Sequence, residues 1–168
     1  MPKLTLKTLK TLKTLDATDR RILEQLQADG RLSNQELAER VALSPSPCLR
    51  RVRALERAGV IRRYAAVLDP LQVGLGLLAY VSVKLEKRGK MPVDQFTRAV
   101  ESWPEVIACY AMTGDMDYLM RVQVENLEHY SRFIMDRLLK QPGVIDIRTN
   151  FVLERVKETT VLPLAHLA

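Results

Sequence analysis

The chain of 168 residues carries 26 Lys and Arg against 20 Asp and Glu, for a formal net charge of +6, with a mean hydropathy of −0.09. Its two cysteines, Cys48 and Cys109, are too few and too far apart for a disulfide framework or a zinc site, no apolar run is long enough to cross a membrane, and the opening residues lack the apolar core of a signal peptide. Residues 1–70 hold 14 basic and 8 acidic side chains while residues 71–168 hold 12 of each, so the whole excess belongs to the first part, as expected of two modules with different partners.

Residues 1–14 repeat a Lys-Thr-Leu unit, with four lysines and no acid. A three-residue period does not hold one face of a long helix, and threonine weakens helix propensity. The segment reads as a flexible basic arm, or equally as residues from a start assigned too far upstream.

A first helix is expected over Ala17–Ala28, capped by Asp16, closed near Gly30, and striped by Ile22, Leu23 and Leu26. Ser33 and Glu36 then spell a capping box. Leu37 and Val41, four apart, face inward. Ser44 is expected to cap a third helix, with Pro45 at the first position, where its missing N–H has no intrahelical partner; Pro47 also falls in the tolerant first turn. Leu49, Val52 and Leu55 are expected to bury one side, and the other shows Ser46, Pro47, Arg50, Arg51, Arg53 and Arg57. This is the layout of a helix-turn-helix, whose second helix enters the major groove.

Between Pro45 and Ala65 stand six arginines and one acid, Glu56. Such density suits a phosphate backbone. Residues near the start of a recognition helix reach base edges and later ones meet phosphate. Ser46, Pro47, Arg50 and Arg51 are therefore expected toward the groove, with Ser44 at the helix start. Arg53, Arg57, Arg62 and Arg63 are expected on the backbone. Gly59 ends the helix, and Val60–Leu68 reads as a short strand pair or wing. Cys48 reads as a small space-filler beside the core.

Asp69-Pro70 and Gly74-Leu75-Gly76 mark a junction. Beyond it, Leu77, Ala79, Val81, Val83 and Leu85 alternate as a strand, and Lys87–Lys90 form a basic turn. Val93, Phe96 and Val100 mark a short helix closed before Trp103-Pro104. Strands over Val106–Met112 and Tyr118–Val124 flank a tight connection, Thr113 to Asp117. A longer helix follows, with Leu127, Tyr130, Phe133, Ile134 and Leu138 on one side. Pro142-Gly143 stops it, and Ile145, Ile147, Thr149, Phe151 and Leu153 give a last strand. The order is β-α-β-β-α-β. Both helices should cover one sheet face, leaving Leu78, Tyr80, Cys109, Ala111 or their alternate neighbours on a face apolar enough to call for a second copy of the chain.

With both modules placed, the chain resembles the Lrp/AsnC family of transcription regulators over roughly Leu15 to Pro163. The resemblance rests on Leu15-Asp16-Ala17-Thr18-Asp19-Arg20-Arg21-Ile22-Leu23, Leu43-Ser44-Pro45-Ser46-Pro47-Cys48, Arg51-Val52-Arg53-Ala54-Leu55-Glu56, Gly59-Val60-Ile61, Thr113-Gly114-Asp115-Met116-Asp117-Tyr118-Leu119 and Pro142-Gly143-Val144. It implies an α+β chain, with an N-terminal winged helix-turn-helix followed by a ferredoxin-like, ACT-like ligand-sensing and oligomerisation domain. The expected divisions are a basic arm at 1–14, the helix-turn-helix at 15–62, a wing and linker at 63–76, the effector domain at 77–157 and a tail at 158–168. It further implies dimers that assemble into octamers or other higher forms on double-stranded DNA in the cytoplasm, associated with the nucleoid. A small amino acid is the implied effector, at Thr113, Gly114, Asp115, Met116, Asp117 and Tyr118. Physically, Gly114 permits a tight turn whose amides suit a carboxylate, while an aspartate suits an ammonium; the competing reading is a turn whose carboxylates bind their own backbone.

The leading expectation is thus a sequence-specific DNA-binding transcription regulator modulated by an amino acid, with no cofactor and no metal. The alternatives are an architectural DNA-binding protein with little ligand control, and an amino-acid-binding protein with a vestigial reader. Catalysis finds no support: His129 and His166 are the only histidines, and no serine-histidine-acid set or phosphate-cradling glycine loop occurs.

Overall fold

The computed structural model describes residues 15–86 and 91–167. The expected basic arm and the Lys87–Lys90 turn lie outside these residues. The chain divides into two compact units: residues up to Val67 together with those from Lys157 onward, and Leu68–Val156. The segment expected only as a tail, from residue 158, is thus grouped with the first unit, as is Lys157 before it.

In the first unit, helix α1 spans Ala17–Ala28, α2 spans Asn34–Arg40 and α3 spans Pro45–Arg57. Each start has a local cause. The Asp16 carboxylate accepts from the Thr18 and Asp19 N–H groups at 2.9 and 2.8 Å, and Asp19 accepts in return from the Asp16 N–H at 3.3 Å. Ser33 and Glu36 form the expected capping box, at 3.2 and 2.8 Å. At α3 the expectation fails in part. Ser44 occupies the cap position, but its hydroxyl makes no capping bond. A cap side chain accepts from the second or third N–H of the helix, and the third residue is Pro47, which has none. The turn between α2 and α3 places Ala42 at φ 55, and the Leu43 N–H closes onto the Ala38 carbonyl at 2.9 Å.

Ile22, Leu23, Leu37, Ala38, Val41, Cys48 and Leu55 form the core of this unit, with Ile22 and Cys48 fully buried. Leu49, expected inside, is 36% exposed. Residues three apart on a helix lag by about 60° per step, so a stripe centred on Leu55 leaves Leu49 at its edge, whereas Cys48, seven residues before Leu55, falls almost directly in line. No strand forms among residues 60–68. The Val60 and Ile61 N–H groups both bond to the Leu55 carbonyl, and the stretch beyond them pairs with no strand among the described residues.

The second unit is a four-stranded antiparallel sheet of order β2-β3-β1-β4, with β1 Leu77–Leu85, β2 Val106–Ala111, β3 Tyr118–Val124 and β4 Val144–Phe151. Helix α4, Met91–Ser102, and helix α5, Leu127–Phe133, which runs on into a π-helical turn Ile134–Leu138, pack on one face. This is the expected β-α-β-β-α-β fold. Ala79, Val81, Val83 and Leu85 of β1 and Met120, Val122 and Val124 of β3 meet Phe96, Tyr130, Phe133 and Leu138 in one core. Leu127, expected on the inner side of α5, is exposed at the helix's first position.

Leu78 and Tyr80 lie on the opposite sheet face as expected, and on β2 the alternate neighbours, Ala108 and Tyr110, lie there rather than Cys109 and Ala111. A register shift between Val106 and Ala108 pairs Cys109 with Met120 and Ala111 with Tyr118, which turns them to the helix side. Burial there pushes the Cys109 thiol up to about 11. The open face thus carries Leu78, Tyr80, Ser82 and Lys84 of β1, Leu119, Arg121 and Gln123 of β3, and Ala108 and Tyr110 of β2, a mixture of apolar and polar side chains.

Candidate nucleic-acid interface and effector turn

Helix α3 presents Ser46, Arg50, Arg53 and Arg57 at steps of four, three and four residues, which is one helical face. With Leu49 these side chains line a groove of about 250 Å³. Ser44, Ser46, Arg50, Arg53, Arg57, Arg62 and Arg63 are exposed, and Pro47 is half-buried. Among the described residues, no acidic side chain pairs with Arg50, Arg53, Arg57, Arg62 or Arg63. The face therefore gathers uncompensated positive charge on a rigid element, which suits a polyanion.

Arg51 is placed differently from its neighbours. Its Nη1 donates to Asp16 Oδ2 and to Asp19 Oδ1, each at 2.8 Å, and so ties α3 to the start of α1. The Asp19 N–H, and behind it the Arg51 guanidinium, hold the Asp16 carboxyl below the usual carboxylate range against the cost of partial burial. The expected group of Ser46, Pro47, Arg50 and Arg51 is therefore not brought together as one exposed surface. Asp16 and Asp19 stand 35 and 32 residues before Arg51, so no local spacing announces the pair. Asn34 is a second silent contributor: its Nδ2 donates to the Pro45 carbonyl at 2.9 Å, holding the start of α3 against α2.

In the second unit the β2–β3 connection is drawn tight by its own backbone. The Met112 N–H donates to the Asp117 carbonyl at 2.8 Å, and the Asp117 N–H to the Val83 carbonyl at 3.0 Å. Gly114 has φ 113, a conformation that side chains resist, although open space surrounds it. Thr113, Gly114 and Asp115 are exposed, whereas Met116, Asp117 and Tyr118 are half-buried. The Asp117 carboxylate accepts from the Leu85 N–H at 2.8 Å, bridging the turn to the end of β1. Tyr118 lies against Phe96, with ring centroids 4.8 Å apart, and its hydroxyl is pushed up by burial, with Cys109, Asp117 and Asp94 adding to it. The two aspartates thus differ: Asp117 serves the backbone and Asp115 faces outward. Asp117→Ala is expected to cost about 1–2 kcal/mol of unfolding free energy, since it strands the Leu85 N–H, and Asp115→Ala close to none. Denaturant midpoints of the two variants check this; equal losses would contradict it.

Among the described residues no helix is long and apolar enough to cross a membrane, and no three His, Cys, Asp or Glu side chains gather as a metal site.

Comparison with known proteins places both units. Residues 15–62 match a winged helix-turn-helix DNA-binding family and residues 78–162 the Lrp/AsnC ligand binding domain. The leucine-responsive regulatory proteins of Escherichia coli K12 and Salmonella typhimurium are each 44% identical to the chain over 147 residues, which is 88% of the chain and 90% of the relative. Among solved structures, a transcriptional regulator from Neisseria meningitidis in complex with L-Met superposes with a TM-score of 0.88 at 50% identity, covering 91% of this chain and 99% of that one. An AsnC family transcriptional regulator from Agrobacterium tumefaciens gives 0.86 at 38% identity, covering 92% and 100%.

Proposed function

Since the chain belongs to the Lrp/AsnC family of transcription regulators, we propose that it reads DNA through α3 and that leucine, methionine or a similar apolar amino acid tunes that reading from the second unit. The family is regulatory rather than catalytic, binds DNA, self-associates, and carries an amino-acid effector domain. The single observation that carries the division of labour is the exposed face of α3, where Arg50, Arg53 and Arg57 have no acidic partner among the described residues. In our reading, Ser46, Pro47 and Arg50 meet base edges, while Ser44, Arg53, Arg57, Arg62 and Arg63 hold phosphates. Arg51 acts as a positioning residue through Asp16 and Asp19.

The effector would bind at Thr113 to Tyr118, its carboxylate on the turn's N–H groups and its ammonium near Asp115. A second copy of the chain would supply the remaining walls, in a dimer or a higher assembly of dimers. The apolar ligand class is suggested by the L-Met complex and the leucine-responsive relatives. A cytoplasmic, nucleoid-associated protein fits this role.

The test is selection of bound sites from random DNA, followed by affinity measurements on the recovered sites with each of the twenty amino acids. A few strong sites whose affinity shifts with leucine or methionine are expected. Weak sequence preference with no amino-acid effect would instead mark an architectural DNA-binding protein.

A further inference from the structure

Residues 158–167 do more than trail from the sheet. The Gln27 side chain on α1 makes both bonds of an amide to one backbone residue: its Nε2 donates to the Leu162 carbonyl at 3.1 Å, and its Oε1 accepts from the Leu162 N–H at 2.7 Å. Pro163 follows immediately and restricts Leu162 to the extended backbone that presents both groups side by side. Farther along, Arg20 of α1 donates to the Leu167 carbonyl at 3.3 Å, and the Leu167 N–H turns back onto the Leu164 carbonyl at 3.0 Å. The Leu167 side chain is only 7% exposed, inside the same core as Ile22 and Leu55, with Leu164 packed against it. These contacts span from the last-turn side of α1, at Gln27, to its first turn, beside Asp19.

The chain therefore leaves the reader unit at Val67 and returns to it at Lys157 after completing the sheet. The first unit is thus joined to the second at two points of the chain, once on each side of the sheet's sequence. The second attachment is also connected inside the reader to the DNA-facing helix, because α1 carries the Asp16 and Asp19 carboxylates that hold Arg51 of α3 at 2.8 Å. We propose that residues 158–167 are a strap by which the ligand-binding unit steers the reader, the displacement running from the end of β4 through Leu162 and Leu167 to α1 and then through Arg51 to α3. The strap gives the coupling a contiguous physical route. This rests on the amino-acid-tuned DNA reading above.

The test uses the full chain and variants away from the DNA face: Gln27→Ala, Gln27→Glu, which keeps the acceptor for the Leu162 N–H and loses the donor, and Leu167→Ala. Three quantities are read for each. They are leucine and methionine affinity by calorimetry, DNA affinity with and without the amino acid, and hydrogen-exchange protection of the Leu162 and Leu167 amides. In the wild type both amides are expected to be protected. Gln27→Ala and Leu167→Ala are expected to expose them, to leave amino-acid affinity unchanged, and to bring the ratio of DNA affinities with and without the amino acid toward one. Gln27→Glu should fall between. A wild-type ratio retained by variants whose two amides have become labile would overturn the strap alone, as would unprotected amides in the wild type. A wild type with no amino-acid effect on DNA would overturn the functional reading and the strap's coupling role together.

Discussion

Replacing Arg50 with Ala is expected to weaken the best DNA sites by about 10- to 100-fold while changing unrelated sequences far less, the scale of one lost bidentate base contact. The expectation follows from position. Arg50 lies in the second turn of α3, exposed, in the groove shared with Ser46 and Arg53, and no acidic side chain among the described residues holds it elsewhere. Near the start of a recognition helix that geometry reaches base edges. Arg63 lies beyond the helix, exposed and outside any helix or strand. Arg63→Ala should lower affinity by a similar factor on every sequence and reduce the salt slope by about one. Competition binding on selected and scrambled sites over a range of salt separates the two. A uniform loss for both variants would refute the assignment of Arg50 to the bases.

Arg51→Ala is expected to act on folding instead. It removes the donor that both Asp16 and Asp19 share and leaves their two carboxylates facing each other. The Asp16 side chain is 51% exposed, so that pair contributes little, about 0–1 kcal/mol. The Asp19 side chain is 13% exposed, and stranding it should cost more, about 1–3 kcal/mol. Together they amount to about 1–4 kcal/mol, read as a lowered unfolding midpoint for the reader unit. The pH dependence has a definite sign. Asp16 is held below its ordinary value of 3.8 in the folded chain, so its contribution is present above that value and is lost as pH falls through the lowered folded value. The gap between wild type and Arg51→Ala should therefore narrow in acid. Site preference should survive in Arg51→Ala wherever the reader is folded. An unchanged midpoint accompanied by altered base preference would return Arg51 to the DNA surface.

The parts legible in the sequence were those written in local signals. Asp16, the Ser33–Glu36 box and Pro45 mark the starts of the first three helices, and the alternation through Val81, Val83 and Leu85 gives β1 its bounds and its inward face. What stayed hidden depends on partners distant along the chain. The side to which Cys109 points is decided by a register shift against β3, which no alternation within β2 reveals. Arg51 looks like its neighbours Arg50 and Arg53 until Asp16 and Asp19 fold against it. Ser44 looks like a cap until the second proline is counted as a missing donor. Leu49 looks like core if residues three apart are treated as one stripe, and the lag of the helix corrects it. The grip of Gln27 on Leu162 bridges 135 residues, beyond the reach of any spacing rule. In the β2–β3 turn, the sequence offers two aspartates alike, and only the Leu85 N–H distinguishes Asp117 from Asp115.

Calorimetric titration of leucine and methionine into the full chain, first free and then saturated with a selected DNA site, tests the central claim most directly. If the amino acid tunes DNA reading, linkage requires that DNA change the amino-acid affinity by the same factor by which the amino acid changes DNA affinity. The expected result is a shifted amino-acid Kd in the DNA complex, matching the factor measured in DNA binding. An amino-acid Kd identical in the free and DNA-bound protein would contradict the coupling of the two units.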